Sequence, residues 1–286
     1  MSLLEAVTNV GNRAGYTVDS VVVSSVDQTT VQLRAMANDI IKKMSQEYEW
    51  PHLFKQGSIT GDGGTTYALP SDLSTYHFDS FWNQSTHWRI FGPLSESDYA
   101  SIQGYGLVAY PYGQFQLRGI TDSELYIYPG LPSGNIAVFQ YMAARYVRPK
   151  TWVAATAFAA GSYCFYNGNY YSTVAGGTSG ATPPTWTTSG SDGGITWDYY
   201  SGKYETFLAD TDEPLINQLV LEQGMLETFA GQHGIPCEIS YENDLAEAYS
   251  RKVPGQMIYA VRSGNGILIQ ARSGVVSFGK GFGPSY

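Results

Sequence analysis

Charge is what this sequence has least of. Lys, Arg, Asp and Glu together make 14% of the 286 residues, against about 25% in an ordinary soluble domain. Positive charge is the scarcer sign: 16 Lys and Arg stand against 25 Asp and Glu, a net −9. A protein that holds nucleic acid by neutralising phosphates needs a basic surface, so the composition argues against that class. Cysteine is nearly absent. Cys164 and Cys237 are 73 positions apart, which fits neither a metal-ligand nor a redox spacing, and two cysteines make no disulfide framework. They read as small residues of a reducing compartment. No apolar run approaches 18 residues, so no membrane span is expected. The opening MSLLEAVTNVGNRAG lacks the basic start and apolar core of a signal peptide, and the expectation is a soluble protein made in the cytoplasm.

What fills the space is Gly (32), Tyr (23), Phe (12) and Trp (6). Abundant aromatics exclude a disordered, solvating chain, and a surface this poor in charge suits burial against other proteins. The charge is also uneven. Residues 251–286 hold Arg251, Lys252, Arg262, Arg272 and Lys280 and no acid, a net +5, so the first 250 residues carry −14. Such asymmetry reads as an acidic body with an extended basic arm that has its own partner.

Periodicity organises the rest. Leu3, Leu4, Val7 and Val10 recur at helical spacing and stop at Gly11 or Gly15. A second helix capped by Asp27 puts Leu33, Met36, Ile40, Ile41 and Met44 on one face and ends before Pro51. From Lys55 the period changes to two. Strands are expected on either side of Gly61–Gly64, around Asn83–Thr86, at Phe115–Leu117 paired with Leu125–Tyr128, and at Ile136–Met142. Residues 151–201 contain only two charges, Asp192 and Asp198, and alternate short aromatic strands with turns such as Asn167–Gly168. Helical spacing returns with Asp210-Thr211-Asp212-Glu213-Pro214, read as carboxylate caps and a first-turn proline leading into Leu215, Leu219, Met225, Leu226 and Phe229. A last helix follows from Ser240 to Pro254, and an alternating stretch from Met257 to Phe278 reads as a hairpin or a strand-adding arm.

Two helices at each end of the chain are expected to bury their faces in one another. The fold class read from this is α+β: a discontinuous four-helix bundle (residues 1–54 and 203–253). Into it are inserted a β-rich domain (55–150) and a small all-β module (151–202), and an extended C-terminal arm (254–286) follows.

Chemistry is sparse. The sequence has no GxxxxGK[ST], HExxH, GxSxG or CxxC, and His52, His77, His87 and His233 are scattered without ligand spacing, so no metal or cofactor is expected. Asp210 and Asp212 are the best pair for acid–base work such as glycoside hydrolysis, but carboxylates ahead of a proline also satisfy a helix start, and that structural role for Asp210, Asp212 and Pro214 is preferred. In the module, Tyr170, Tyr171 and Trp186 are the candidate rings for stacking on a sugar, while Trp197 and Tyr163 read as core.

LLEAVTNVGNRAG, YEWPHLFKQGSI, YALPSD and above all KYETFLADTDEPLINQLVLEQGM resemble the head-to-tail adaptor proteins of short-tailed phages, the tail tubular A group. The family pattern F-x-A-D-x-D-x-P-L falls here on Phe207, Ala209, Asp210, Asp212, Pro214 and Leu215. The resemblance covers roughly residues 1–150 and 203–253. It implies a non-enzymatic virion protein, a ring of typically twelve copies between the portal and the tail nozzle, enclosing the channel through which genomic DNA leaves. In several members a C-terminal arm reaches the portal. On this chain that role is assigned to residues 254–286, with Arg262, Arg272 and Lys280 as the contacting cations. The stretch FAAGSYCFYNGNYYSTVAGGTSGATPP is similar to small carbohydrate-binding modules of the chitin-binding type, and from it comes the rival reading of a glycan-binding tail accessory. Val174-Ala175-Gly176-Gly177 stands where sugar-binding members often carry a tandem exposed aromatic pair.

Overall fold

The computed structural model describes residues 2–105, 113–118, 124–234, 245, 247, 257–263 and 266–272. The chain divides into two units, Met1–Pro51 with Pro214–Tyr286, and His52–Glu213. Among the described residues lie four α-helices: α1 (Leu3–Ala14), α2 (Gln28–Glu47), α3 (Glu96–Tyr105) and α4 (Gln218–His233).

The first unit is built on α1, α2 and α4, which contact one another pairwise. A capping box starts α1: Ser2 Oγ accepts from the Glu5 N–H and the Glu5 carboxylate accepts from the Ser2 N–H at 2.7 Å. Gly15, in the left-handed region at φ 80°, ends it. Asp27 caps α2 by accepting the Thr30 N–H at 2.8 Å. Val7 and Val10 from α1, Leu33, Ile41 and Met44 from α2, and Leu221, Met225 and Phe229 from α4 form the buried faces. Gly11 is needed on α1 because a Cβ there would lie 2.2 Å from Val18 Cγ2. Trp50, fully buried, gives its Nε1–H to the Met44 carbonyl at 2.9 Å.

The expected four-helix bundle is overturned. Strand makes up 31% of the chain and helix 29%, and the largest element is a nearly closed, barrel-like sheet. The helices that pack together among the described residues are three. Of the expected last helix, only Leu245 and Glu247 are described, both helical; Ser240 and Pro254 lie outside the described residues. The helical periodicity found α1 and α2, but it carries no information on how many strands a distant segment will recruit, and here β pairing over some 80 residues of chain dominates the larger unit.

In that unit eight strands form one sheet: β1 (Phe54–Thr60), β2 (Thr66–Ala68), β3 (Leu73–Tyr76), β4 (Trp82–Asn83), β5 (Trp88–Phe91), β6 (Gly113–Arg118), β7 (Glu124–Tyr128) and β8 (Ile136–Ala143). The order is β1-β8-β4-β5-β6-β7-β2, with β3 also on β8. All ladders are antiparallel except β5 with β6. Alternation sends Ile59, Phe81, Ile90, Phe115, Ile127 and Phe139 inward. Phe81 stacks between Phe115 (4.3 Å) and Phe139 (4.7 Å). Gly57 faces this stack: a Cβ there would lie 2.4 Å from the Phe139 ring. Helix α3, absent from the sequence reading, covers the outer side of β6 and β7. Its only buried residue, Tyr99, lies edge-on to Tyr126 and Tyr128 under the Arg118 guanidinium. One apolar position makes no period. The readable signal was Ser95, whose Oγ accepts the Asp98 N–H.

The module follows the same chain without a break in packing. After β9 (Val147–Arg148) come β10 (Ala157–Phe158), β11 (Tyr163–Tyr166), β12 (Asn169–Thr173), β13 (Gly177–Thr178), β14 (Ser189–Asp192) and β15 (Ile195–Tyr199). Strands β11-β12-β15-β14 form its sheet. Asn167 and Gly168 both take positive φ, 46° and 84°, the two-residue turn their identities announce. Phe158, Cys164, Tyr171, Ile195 and Trp197 make the core. Burial pushes the Cys164 thiol up to about 12, which leaves it inert. The C-terminal stretch forms an antiparallel hairpin, Met257–Ser263 with Gly266–Arg272.

Candidate functional site

The densest set of buried polar groups sits where the barrel meets the module. Asp72 lies in the turn before β3. Its carboxylate accepts the Tyr141 hydroxyl at 2.9 Å and pairs with Lys55 Nζ and Arg145 Nε, each at 2.9 Å. Arg145 is 4% exposed. Its Nη2 donates to the Tyr200 carbonyl at 3.1 Å, and its guanidinium lies 4.7 Å over the Tyr170 ring. A buried ion pair is costly unless its geometry and added hydrogen bonds offset desolvation; here the Tyr141 hydroxyl and the Tyr200 carbonyl supply hydrogen bonds, while Arg145 Nε and Nη1 make none among the described residues. Tyr204 threads the joint. Its N–H donates to the Ala144 carbonyl at 2.8 Å and its carbonyl accepts the Tyr146 N–H at 3.1 Å. Its ring meets those of Tyr163, Tyr170 and Tyr200 at 5.1, 5.5 and 6.5 Å. The Tyr170 hydroxyl donates to the Val147 carbonyl at 2.9 Å. Burial raises the phenols of Tyr141, Tyr170 and Tyr204; Asp72 adds to it at Tyr141 and Asp212 at Tyr204, while Arg145 and Arg148 oppose it at Tyr170, so all three stay neutral donors. Beside them Arg148 pairs with Glu213 and holds its carboxyl below the ordinary carboxylate range. This is the chemistry of a clamp: each of these charges is held by a neighbour, and the module is keyed to the barrel.

The sequence assigned Asp210, Asp212 and Pro214 to the start of a helix. The structure corrects that. Helix α4 begins at Gln218, and Asn217 caps it by accepting the Leu219 N–H at 2.9 Å. Asp212 is instead buried, 1% exposed. Its Oδ2 accepts from the Tyr204 hydroxyl at 2.9 Å, the Leu208 N–H at 2.8 Å and the Ala209 N–H at 2.9 Å. It closes the turn before the helix rather than the helix itself, because Ser-, Asp- and Asn-type acceptors serve any run of unpaired N–H groups. Asp210 is half-buried on the same turn. Leu219, expected on the buried face, is exposed; Val220 and Leu221 take that place.

Burial raises the Asp212 carboxyl above its ordinary value, against the lowering by its three donors. A raised carboxylate favours the folded state below the ordinary value, near pH 4, and that contribution is lost as the pH rises through the raised value. Asp212→Asn keeps an acceptor and has no charge to bury. Its melting temperature relative to the native chain is expected to improve between pH 4 and pH 7. Thermal melts at the two pH values check this, and an offset that stays the same or worsens counts against the assignment.

The module sheet explains what happens to the expected stacking rings. Neighbouring residues on β12 point to opposite faces. Tyr170 goes to the clamp and is 3% exposed, while Tyr171 enters the module core and is fully buried. Neither offers a ring face to a sugar. Trp186 lies on the core over Gly190, where a Cβ would be 2.1 Å from its ring, and is only partly buried. The three rings named for glycan stacking are therefore not one platform. Trp197 is core, as its sequence context indicated, and Tyr163 is half-buried at the clamp. Of the arm cations, Arg262 lies opposite Ile267 and Arg272 opposite Met257 in the hairpin register; Lys280 lies outside the described residues, as does Cys237.

The sequence reading missed Asp72 and Arg145. The signal was there in YMAARYVRP, where two arginines interrupt an apolar run: a cation in such a run needs a buried partner. Among the described residues no three or more His, Cys, Asp or Glu stand together as a metal-ligand set, and no helix is long and apolar enough to cross a membrane. No protein-family model matches the chain, and no curated protein matches it.

Proposed function

We propose that this chain is a structural head-to-tail adaptor of a short-tailed phage, forming a ring of twelve copies between the portal and the tail nozzle. The observation that carries the reading is the connector Phe207–Leu215, the stretch in which the family resemblance is strongest. Phe207 and Asp212 are buried there, 3% and 1% exposed, and Asp212 accepts two N–H groups of the connector's own backbone and the Tyr204 hydroxyl. The residues of the pattern thus shape a link between a helical unit and a β unit, which is a demand of architecture and not of catalysis. The reading assigns no reaction, cofactor or metal to the chain. Its net charge of −14 over residues 1–250 suits a channel wall that repels phosphate and lets DNA slide. The basic segment 254–286 suits a separate partner, the portal.

The test is assembly. Mixed with its portal, the full chain is expected to form rings on the portal in electron micrographs. Deleting residues 254–286 is expected to leave a protein with an unchanged melt that no longer joins the portal. Normal docking of the truncated protein would place the portal contact elsewhere, and absence of any ring with the full chain would end the adaptor reading. Retention of residues 151–202 on cell-wall polysaccharide would support the glycan reading in its place.

A further inference from the structure

Among the described residues the barrel leaves one long strand edge open. In the β1–β8 ladder the Gly61 N–H donates to the Asn135 carbonyl at 2.7 Å. Bonded pairs alternate along an antiparallel ladder, so Ile59–Ala137, Gly57–Phe139 and Lys55–Tyr141 are the bonded pairs of the register. The residues between them on β8 bear this out: the carbonyls of Ile136 and Gln140 turn the other way, to the N–H groups of Gln84 and His77. On β1 the corresponding residues are Gln56, Ser58 and Thr60. Their N–H and C=O groups point away from β8, and their residues are exposed. Among the described residues no strand pairs with that edge, because β1 ends the sheet order. A seven-residue edge without proline is a template for another strand.

The C-terminal hairpin has the complementary need. Its two strands are also seven residues each. The strands read MIYAVRS and GILIQAR, mostly apolar sequences, paired antiparallel from Met257–Arg272 to Ser263–Gly266. A two-stranded hairpin is marginal in water by itself and needs a third strand or a covering surface. The charges agree as well. Residues 52–213 hold seven Lys or Arg and thirteen Asp or Glu, a net −6, while the hairpin residues 257–272 hold Arg262 and Arg272 and no acid.

We propose that the hairpin Met257–Arg272 of one copy adds to the free β1 edge of a second copy, extending its sheet by two strands. Each copy has one such edge and one such hairpin, so the contact is head-to-tail and closes into a ring when the rotation allows. The inference rests on the ring reading above and supplies its copy-to-copy bond. It leaves residues 273–286, with Lys280, to continue to the portal.

The experiment uses two full-length chains, each with Cys237→Ser, co-expressed with different tags. One carries Ser58→Cys; the other carries, in turn, Tyr259→Cys, Val261→Cys, Ser263→Cys, Leu268→Cys or Gln270→Cys. Cys164 is buried and stays. Mild oxidation is expected to link the two tags in at least one pairing. In parallel, Ser58→Pro removes one outward N–H without removing a bond to β8. It is expected to keep the native melt while self-assembly needs at least tenfold more protein. Rings without any cross-link, or normal assembly of a folded Ser58→Pro, would overturn this proposal and leave the adaptor reading standing. A cross-link formed only within one chain carrying both cysteines would overturn the choice of a second copy. If neither rings nor cross-links form, both readings fall.

Discussion

Replacing Arg145 by Met is expected to destabilise the barrel–module unit by about 3–5 kcal/mol, the usual cost of removing one partner from a buried ion pair. In a unit of this size that is a drop in melting temperature of roughly 6–20 °C. The reason lies in what stays behind. Asp72, with its side chain 5% exposed, keeps Lys55 and the Tyr141 hydroxyl but loses the one fully buried cation that faces it. The Tyr200 carbonyl loses its donor and the Tyr170 ring its cation. Lys55 is 37% exposed and hydrated, so it offsets only part of this. A double variant, Arg145→Met with Asp72→Asn, should cost much less than the two single changes together, since no unpaired charge is left to bury. Urea melts of the four proteins give the coupling directly. Additive losses, or an Arg145→Met melt that matches the native one, would show that the joint is not held by this pair.

Trp197→Ala is the second large effect, and it is expected to be local. Trp197 is fully buried with the Phe158 ring edge-on at 5.0 Å. Truncating a buried Trp costs about 3–5 kcal/mol, which is as much as a core this small supplies in all. The module should therefore lose its packing while the barrel, whose core is the separate Phe81–Phe115–Phe139 stack, keeps its own. Cys164 makes the outcome readable. Its thiol is inert while buried in that core, so rapid labelling of Cys164 in the variant, with proteolysis confined to residues 151–202, is the expected result. Slow labelling with a globally lowered melt would mean that module and barrel unfold as one body, the clamp being stronger than the module core.

Legibility in the sequence followed the range of the forces involved. The first two helices and the turn at Asn167–Gly168 were readable because caps, left-handed glycines and apolar periods act within a few residues. The hairpin pairs Leu125 with Leu117, as the alternation required. The beginning of α4 was misplaced for a related reason. Asp212 is a local acceptor in either reading, and the sequence does not say whether the N–H groups it satisfies belong to a helix or to the turn before one. Tyr170 and Tyr171 show the same limit. Alternation says that adjacent strand residues face opposite ways; it does not say that both faces will be covered.

The sequence by itself determined how little charge the chain carries, 14% of its residues, and how that charge is divided between an acidic stretch over residues 1–250 and a basic one over residues 251–286. Periodicity placed the first two helices and the pairing of β6 with β7. Only the tertiary structure decided that β pairing outweighs the helices, that Arg145 and Asp72, 73 residues apart, share one buried joint, and that among the described residues the outer edge of β1 is left without a partner strand. Caps and periods are set by neighbours within a turn or two of chain. Buried charge pairs and free strand edges depend on which distant segments meet, and that choice is made by the whole core at once.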